Sequence, residues 1–496
     1  MNLRLKNTAV VAAVAACAGG LSAQGPFPDF TPAVPLVVLD TDSTVVQTSA
    51  GPRTVTGGVF RFRNVVIPLG TIVRGVGSNP LIILADAVTI DGLLTVSGGD
   101  GERVNTLGGA NFPARGGVGG PAAGRGGDGS PQIGLRSFAG QTGNGPGNAP
   151  AVGGYGGQLA FQGLGPITRI GAGGGGGAFA TAGDPHYEVQ WISGTGFVQQ
   201  LGIGGFGGED VPSGFPTRGL TGGGPGGTPF VDGDDENDFF GLGYDVFAGR
   251  NVLGELGAPM GGSGGGGGGD LGILPGFLPP NFAGDAKGGG GGGGGGCLIV
   301  AAANSIVVSA TGRITADGGL GGGGEQAGSS NQAGGGGAGS GGMLILAAGS
   351  HIELHVKGET YANRNYDFVL SADGSVCRTG AFLVPHVTGK YPANGVPPLA
   401  ADQYDRRPLG GFGGMGIVEL VVPVGNNADG TNTILDDNIR LMQNGAPLTG
   451  AQKQRFLAWR GWKNGAGVRV DDFGSPTNIG SGEGDIRPAP ILIPLR

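Results

Sequence analysis

Gly288 to Gly296 is an unbroken run of nine glycines, and it passes directly into Cys297-Leu298-Ile299-Val300-Ala301-Ala302-Ala303. Ser305-Ile306-Val307-Val308 and Arg313-Ile314-Thr315-Ala316 follow, then a second glycine-rich tract (318–342) that opens onto Met343-Leu344-Ile345-Leu346-Ala347-Ala348. The same phrase occurs much earlier, where Leu81-Ile82-Ile83-Leu84-Ala85 leads to Val88-Thr89-Ile90 and then to Leu94-Thr95-Val96-Ser97-Gly98-Gly99. Recurrent short strands with corners between them, about 20 to 25 residues per copy, indicate stacked coils that bury their apolar sides only against one another. The expected fold is all-β, a right-handed parallel β-helix with long glycine-rich insertions and a short C-terminal helix.

Composition excludes the ordinary alternatives. Glycine accounts for 118 of 496 residues, several times the usual share of about 7 %. Charged residues make up 13 % and aromatics 6 %, too few charges for a solvated disordered chain and too few rings for a conventional core. Strict Gly-X-Y periodicity is missing, so the chain is not collagen.

Residues 1–23 have the form of an export signal, with Arg4 and Lys6 before the apolar run Ala9 to Ala16 and the small-residue end Leu21-Ser22-Ala23. Cleavage after Ala23 is one reading. The other takes Val14-Ala15-Ala16-Cys17 as a lipobox-like sequence, which would make Cys17 a lipidated N-terminus of an outer-membrane lipoprotein. Both place the protein outside the cytoplasm, secreted or at the cell surface. Loss of Arg4 and Lys6 with the signal lowers the net charge from −8 by two, to −10, which disfavours nucleic acid as a partner. No stretch approaches the ~18 apolar residues of a transmembrane helix.

Residues 24–57 read as an extended lead-in whose apolar run, Val34 to Leu39, caps the first coil. The glycine-rich β-helix spans 58–424, with alternation from Val59 onward that puts Phe60 and Phe62 on one face and Arg61 and Arg63 on the other. Residues 100–287 form a large insertion, either degenerate coils or an excursion on the face of the solenoid. Within it and after it, glycine tracts precede strands, and two readings apply. They are flexible linkers, or they are polyproline-II-like segments packed side by side into rigid plates, which glycine alone permits. Residues 425–496 form a C-terminal cap, with a capping box at Thr449-Gly450-Ala451-Gln452 and an amphipathic helix to Trp459.

The candidates for chemistry are few. Asp232, Asp234, Asp235, Glu236 and Asp238 crowd five carboxylates into seven residues; calcium takes such hard-oxygen clusters, although no EF-hand spacing is present, and a solvated acidic turn is the alternative. On a strand, His351, Glu353 and His355 share one face at about 6.6 Å spacing, a transition-metal arrangement or a solvated strand face. Cys297 and Cys377 are the two cysteines beyond the signal, a disulfide in an oxidising compartment or two thiols. The frame Gly265-Gly266-x-Gly268-x-Asp270 matches a single calcium-binding nonapeptide without its tandem copies. Asp436 with Asp437, and Asp471 with Asp472, point to opposite faces of a strand and make no glycosidase pair. No catalytic residue is assigned and no cofactor other than calcium is expected.

The phrases Leu81 to Gly99 and Cys297 to Gly319, with the glycine tracts between them, resemble glycine-rich exported β-helix proteins of environmental bacteria such as planctomycetes and myxobacteria. The resemblance covers residues 59–424 and implies a pectate-lyase-type right-handed helix acting at the cell surface. Beyond residues 1–23, the Asn-Thr-Asp, His-Gly and Arg-x-Lys signatures of pectin hydrolases do not occur. The expected role is structural or adhesive, with carbohydrate, extracellular matrix or a second copy as partner. A carbohydrate-active β-helix enzyme and a surface- or ice-binding protein are the alternatives.

Overall fold

The computed structural model describes residues 27–103, 113–130, 139–150, 153–156, 173–179, 258–269, 287–324, 331–356 and 438–448, most of 410–422, and several short segments besides. Within them the protein is all-β, the only helical element described being the 3-10 turn Pro146–Asn148. Neither the expected helix after Thr449, nor Cys17, nor the acidic run from Asp232 to Asp238 falls within these residues.

Three sheets carry the repeat. One stacks Leu36–Asp40, Ile72–Val76, Leu93–Thr95, Arg313–Thr315 and Leu370–Ser371; a second stacks Asn64–Ile67, Ala87–Ile90, Ser305–Val308, His351–Val356 and Ile439–Gln443. The third contains Val59–Arg61, Leu81–Ala85, Cys297–Ala302, Met343–Ala348 and Ile417–Val422. All of these neighbours pair in parallel. Antiparallel pairing enters at the far ends of two of the sheets, as in the hairpin of Ile439–Gln443 with Ala446–Pro447.

The register follows the repeated phrase. Leu81 lies beside Leu298 and Leu298 beside Leu344, and Ala85, Ala302 and Ala348 line up in the same way. Identical side chains therefore stack at strand spacing, which lets each rung bury its apolar row on the next. Phe60, Leu81, Ile83, Leu298, Leu344 and Leu420 lie in one continuous core with Ile90, Ile306 and Ile352. The alternation read at Val59 to Arg63 holds, with Phe60 and Phe62 buried and Arg61 exposed.

Leu36–Asp40 is the terminal strand of the first sheet. Leu36–Asp40 pairs with Ile72–Val76, and Phe30 stacks on Phe62 with ring centroids 4.9 Å apart. Asp29 receives hydrogen bonds from Arg63 Nε at 2.9 Å and from the Asn64 backbone and side-chain amides at 3.1 and 3.0 Å, and forms an ion pair with Arg63. These contacts hold the Asp29 carboxyl down to a pKa of about 2.

The corner between the first and third sheets is where the chain leaves the stack into glycine. The excursion after Thr95 returns through 288–296 into Cys297, and the one after Thr315 returns through 333–342 into Met343. In the returning tract 288–296, Gly289, Gly292 and Gly295 donate their N–H groups to the carbonyls of Gly334, Gly337 and Ser340. Gly290, Gly293 and Gly296 donate to Glu102, Gly99 and Val96, while Gly291 and Gly294 donate to Gly127 and Gly124. Partners that recur at every third residue describe a helix of three residues per turn, the polyproline II geometry. The tracts are thus packed, hydrogen-bonded segments, and the linker reading does not describe them.

Candidate functional site

The tract 288–296 also accepts from three further segments: from Gly117 and Gly120, from Gly262, Gly265 and Gly268, and from Gly319 and Gly322. It is therefore enclosed by six neighbours, in the order 96–102, 114–120, 123–130, 261–269, 334–342 and 316–324. Each neighbour bonds the next, for example Gly99 to Val118, Gly126 to Gly117, Gly127 to Gly265, Gly337 to Gly266, Gly339 to Gly319 and Gly101 to Leu320. Glycine is obligatory at the centre because a methyl on Gly290 or Gly293 would run into the Arg115 or Val118 carbonyl oxygen, and neither backbone can withdraw. The arrangement is a slab with a hydrogen-bonded backbone interior and almost no side chains inside.

Where side chains do enter the interior, their polar atoms are used. Ser340 Oγ accepts from the Ser263 N–H at 2.8 Å, Ser263 Oγ donates to the Ala178 carbonyl, and Ser130 Oγ accepts from the Gly288 N–H at 3.0 Å. Acidic and amide side chains at the rim take up N–H groups that have no further tract to bond. Asp100 Oδ1 accepts from Leu320 at 2.9 Å, Glu102 Oε2 from Arg115 at 2.8 Å, Asp128 Oδ1 from Gly116 at 2.8 Å and Asn148 Oδ1 from Arg125 at 3.3 Å. A buried N–H left without a partner costs about 1–3 kcal/mol, so these residues close the slab.

The candidate functional surface is the open face of this slab formed by 114–120 and 123–130. Its outward positions recur at intervals of three: Arg115 and Val118 on one tract, Arg125 and Asp128 on the next. Val118 is 69 % exposed. Arg125 and Asp128 form an ion pair along their own tract. Sequence reading did not single these residues out. The signal that would have found them is the Gly-Gly-X spacing of Arg115-Gly116-Gly117-Val118 and Arg125-Gly126-Gly127-Asp128.

The residues singled out for chemistry are distributed elsewhere. His351, Glu353 and His355 share the outward face of the strand His351–Val356, where His355 Nε2 and Glu353 Oε1 lie 2.6 Å apart. His351 Nδ1 instead approaches Ser350 Oγ at 3.1 Å. Burial, reinforced by nearby Arg440 and opposed by Glu353, lowers the pKa of His351. Among the described residues no group of three His, Cys, Asp or Glu side chains converges on a metal position.

Cys297 is a free thiol and fully buried, and Cys377 lies outside the described residues. It belongs to a second apolar cluster on the outer side of the large sheet, with Ile82, Ile299, Ile345, Ile417 and Phe179. Burial, and secondarily the charge of Glu419, push its pKa far above the ordinary range; such a thiol is a poor nucleophile. Of the calcium-repeat frame, Gly265, Gly266 and Gly268 are interior members of the slab whose N–H groups bond Gly292, Gly175 and Gly289, and Asp270 is outside the described residues. Asp436, Asp437, Asp471 and Asp472 are outside them as well.

No protein-family model, curated protein or solved structure matches the chain. No helix among the described residues is long and apolar enough to cross a membrane.

Proposed function

We propose that this chain is an exported, non-enzymatic structural or adhesive protein of the cell surface or extracellular matrix, built as a right-handed parallel β-helix with a glycine slab on its flank. The observation that carries the reading is the slab itself. A stack of polyproline-II tracts in which the central one bonds six neighbours fixes its outer positions in a three-residue repeat. Such a surface suits display of side chains at regular intervals.

The outward Arg115, Val118, Arg125 and Asp128 suit a polar, repetitive partner such as a polysaccharide. Arginine and carboxylate side chains supply hydrogen bonds to hydroxyl groups along the tracts, and the stiffness of the slab limits the entropy lost on binding. The test is a carbohydrate and matrix-protein binding screen on the chain lacking residues 1–23, run beside an assay for released reducing or unsaturated sugars. Binding without sugar release is expected; release that survives purification would overturn the reading in favour of a carbohydrate-active enzyme.

A second reading, a surface- or ice-binding protein, is favoured by the three-residue regularity of the same face. The charged side chains on it argue for the first. Thermal hysteresis in the purified chain, lost in Val118→Arg, would decide for the second.

A further inference from the structure

We infer, building on the adhesive reading of this face, that its partner is a neutral, linear polysaccharide lying across the glycine tracts, and that Gln141 and Asn144 of a third tract belong to the site. The open face does not end at 123–130. The Gln141 and Asn144 amides donate to the carbonyls of Asp128 and Arg125, so 139–145 lies beside 123–130 just as 123–130 lies beside 114–120. Methyl groups added at Gly140 and Gly143 would strike the Gly267 and Gly264 carbonyls. That direction is inward, and Gln141 and Asn144, one residue further round a three-residue turn, are directed away from it. Gln141 is exposed and Asn144 half-buried.

The backbone bonds also fix which side chains are level with one another. Gly129 donates to Ala114 and Gly126 to Gly117, which sets Asp128 opposite Arg115 and Arg125 opposite Val118. With the bonds from Gln141 and Asn144, two rows cross the three tracts: Arg115, Asp128 and Gln141 in one, Val118, Arg125 and Asn144 in the other. Within a row the spacing is that of hydrogen-bonded chains, about 4.8 Å. Along a tract it is three residues at ~3.1 Å, roughly 9 Å. A sugar ring in a linear chain is about as long as the smaller spacing, so a chain laid across the tracts meets one side chain per ring. A chain following a single tract would meet two widely separated ones.

The chemistry of the rows selects the occupant. Five of the six side chains are polar, and their guanidinium, carboxylate and carboxamide groups supply both donors and acceptors, as sugar hydroxyls require. Their charges are compensated locally: Arg125 pairs with Asp128, and the Glu102 carboxylate is held beside Arg115 by the Arg115 amide. A nucleic acid or a polyuronate gains little from such a surface, because polyanion binding draws on uncompensated positive charge. Val118 is the one apolar member of the six, too little for the apolar core of a protein interface.

The experiment is affinity electrophoresis of the purified chain, R115A, Q141A and R115A/Q141A in gels containing neutral glucans, mannans, xylans or galactans, or polygalacturonate, at low and high salt. Both substitutions remove exposed side-chain atoms and leave the backbone bonds of Arg115 and Gln141 in place. The expected result is retardation by a neutral polysaccharide, insensitive to salt, with the dissociation constant raised about fivefold by each single substitution and further by the double. Retardation by polygalacturonate alone, falling with salt, refutes the neutral ligand. Retardation by a neutral polysaccharide that R115A and Q141A leave unchanged refutes this site while the adhesive reading stands; no retardation in any gel removes both the site and carbohydrate adhesion. A variant whose circular dichroism departs from that of the parent is replaced by Arg115→Lys or Gln141→Glu. A smaller loss in the same direction is expected of these, and unchanged binding refutes the site equally.

Discussion

The β stack and the glycine slab are halves of one repeating chain held together by opposite means. In the stack, large side chains such as Phe60, Leu81, Leu298, Leu344 and Leu420 fill a continuous core, and stability comes from apolar area removed from water. In the slab the interior tract 288–296 has no side chain at all, and each N–H from Gly289 to Gly296 ends on the carbonyl of a neighbouring segment. There the gain is about 1 kcal/mol per hydrogen bond, set against the large backbone entropy that glycine loses on ordering. Volume must be kept in one region and must be kept out of the other, so substitution to alanine damages both for contrary reasons.

The contrast is sharpest for Leu344→Ala. It deletes a fully buried side chain that sits in register between rungs, and it should lower stability by about 2–5 kcal/mol in chemical denaturation. Gly293→Ala adds one methyl where only backbone surrounds it and should cost about 3 kcal/mol, the upper part of the range for overpacking. A small effect there would mean that the slab is loosely packed. Asp128→Ala removes the carboxylate that caps the Gly116 amide and should cost about 1 kcal/mol. Val118→Ala, on the open face, should change stability by no more than about 0.5 kcal/mol.

The contacts of Asp29 with Arg63 and Asn64 supply a pH test. Because Asp29 has a folded pKa of about 2, below its ordinary value of about 3.9, its contribution is present above about pH 4 and disappears as pH falls through the folded pKa. Thermal melts of the parent and Asp29→Asn should differ at pH 6 and converge near pH 2. A constant difference across that range would show that the pairing with Arg63 does not hold Asp29 against the strand Asn64–Ile67.

The two regions also differ in how much of them can be read from the chain. The repeated Leu-Ile-hydrophobic-Ala phrase carries its own register, because identical side chains must stack, and Leu81, Leu298 and Leu344 do so. Phe60 and Phe62 against Arg61 could likewise be assigned to inside and outside by alternation alone. In the slab, glycine offers nothing to distinguish one tract from another, so polyproline-II packing could be weighed against a flexible linker but the neighbours of 288–296 could not be named. The capping roles of Asp100, Glu102 and Asp128 depend on those neighbours and were hidden for the same reason. Glu353 and His355 were legible as a shared strand face, and the 2.6 Å contact between them follows from it.

The interior glycine tract is the central claim, and amide hydrogen exchange on the full chain tests it most directly. Amides of 288–296 should be protected to a degree comparable with those of the strand Cys297–Ala302 that they lead into, because both are hydrogen-bonded and buried. Exchange of 288–296 at the rate of an unfolded glycine peptide, beside a protected Cys297–Ala302, would contradict it.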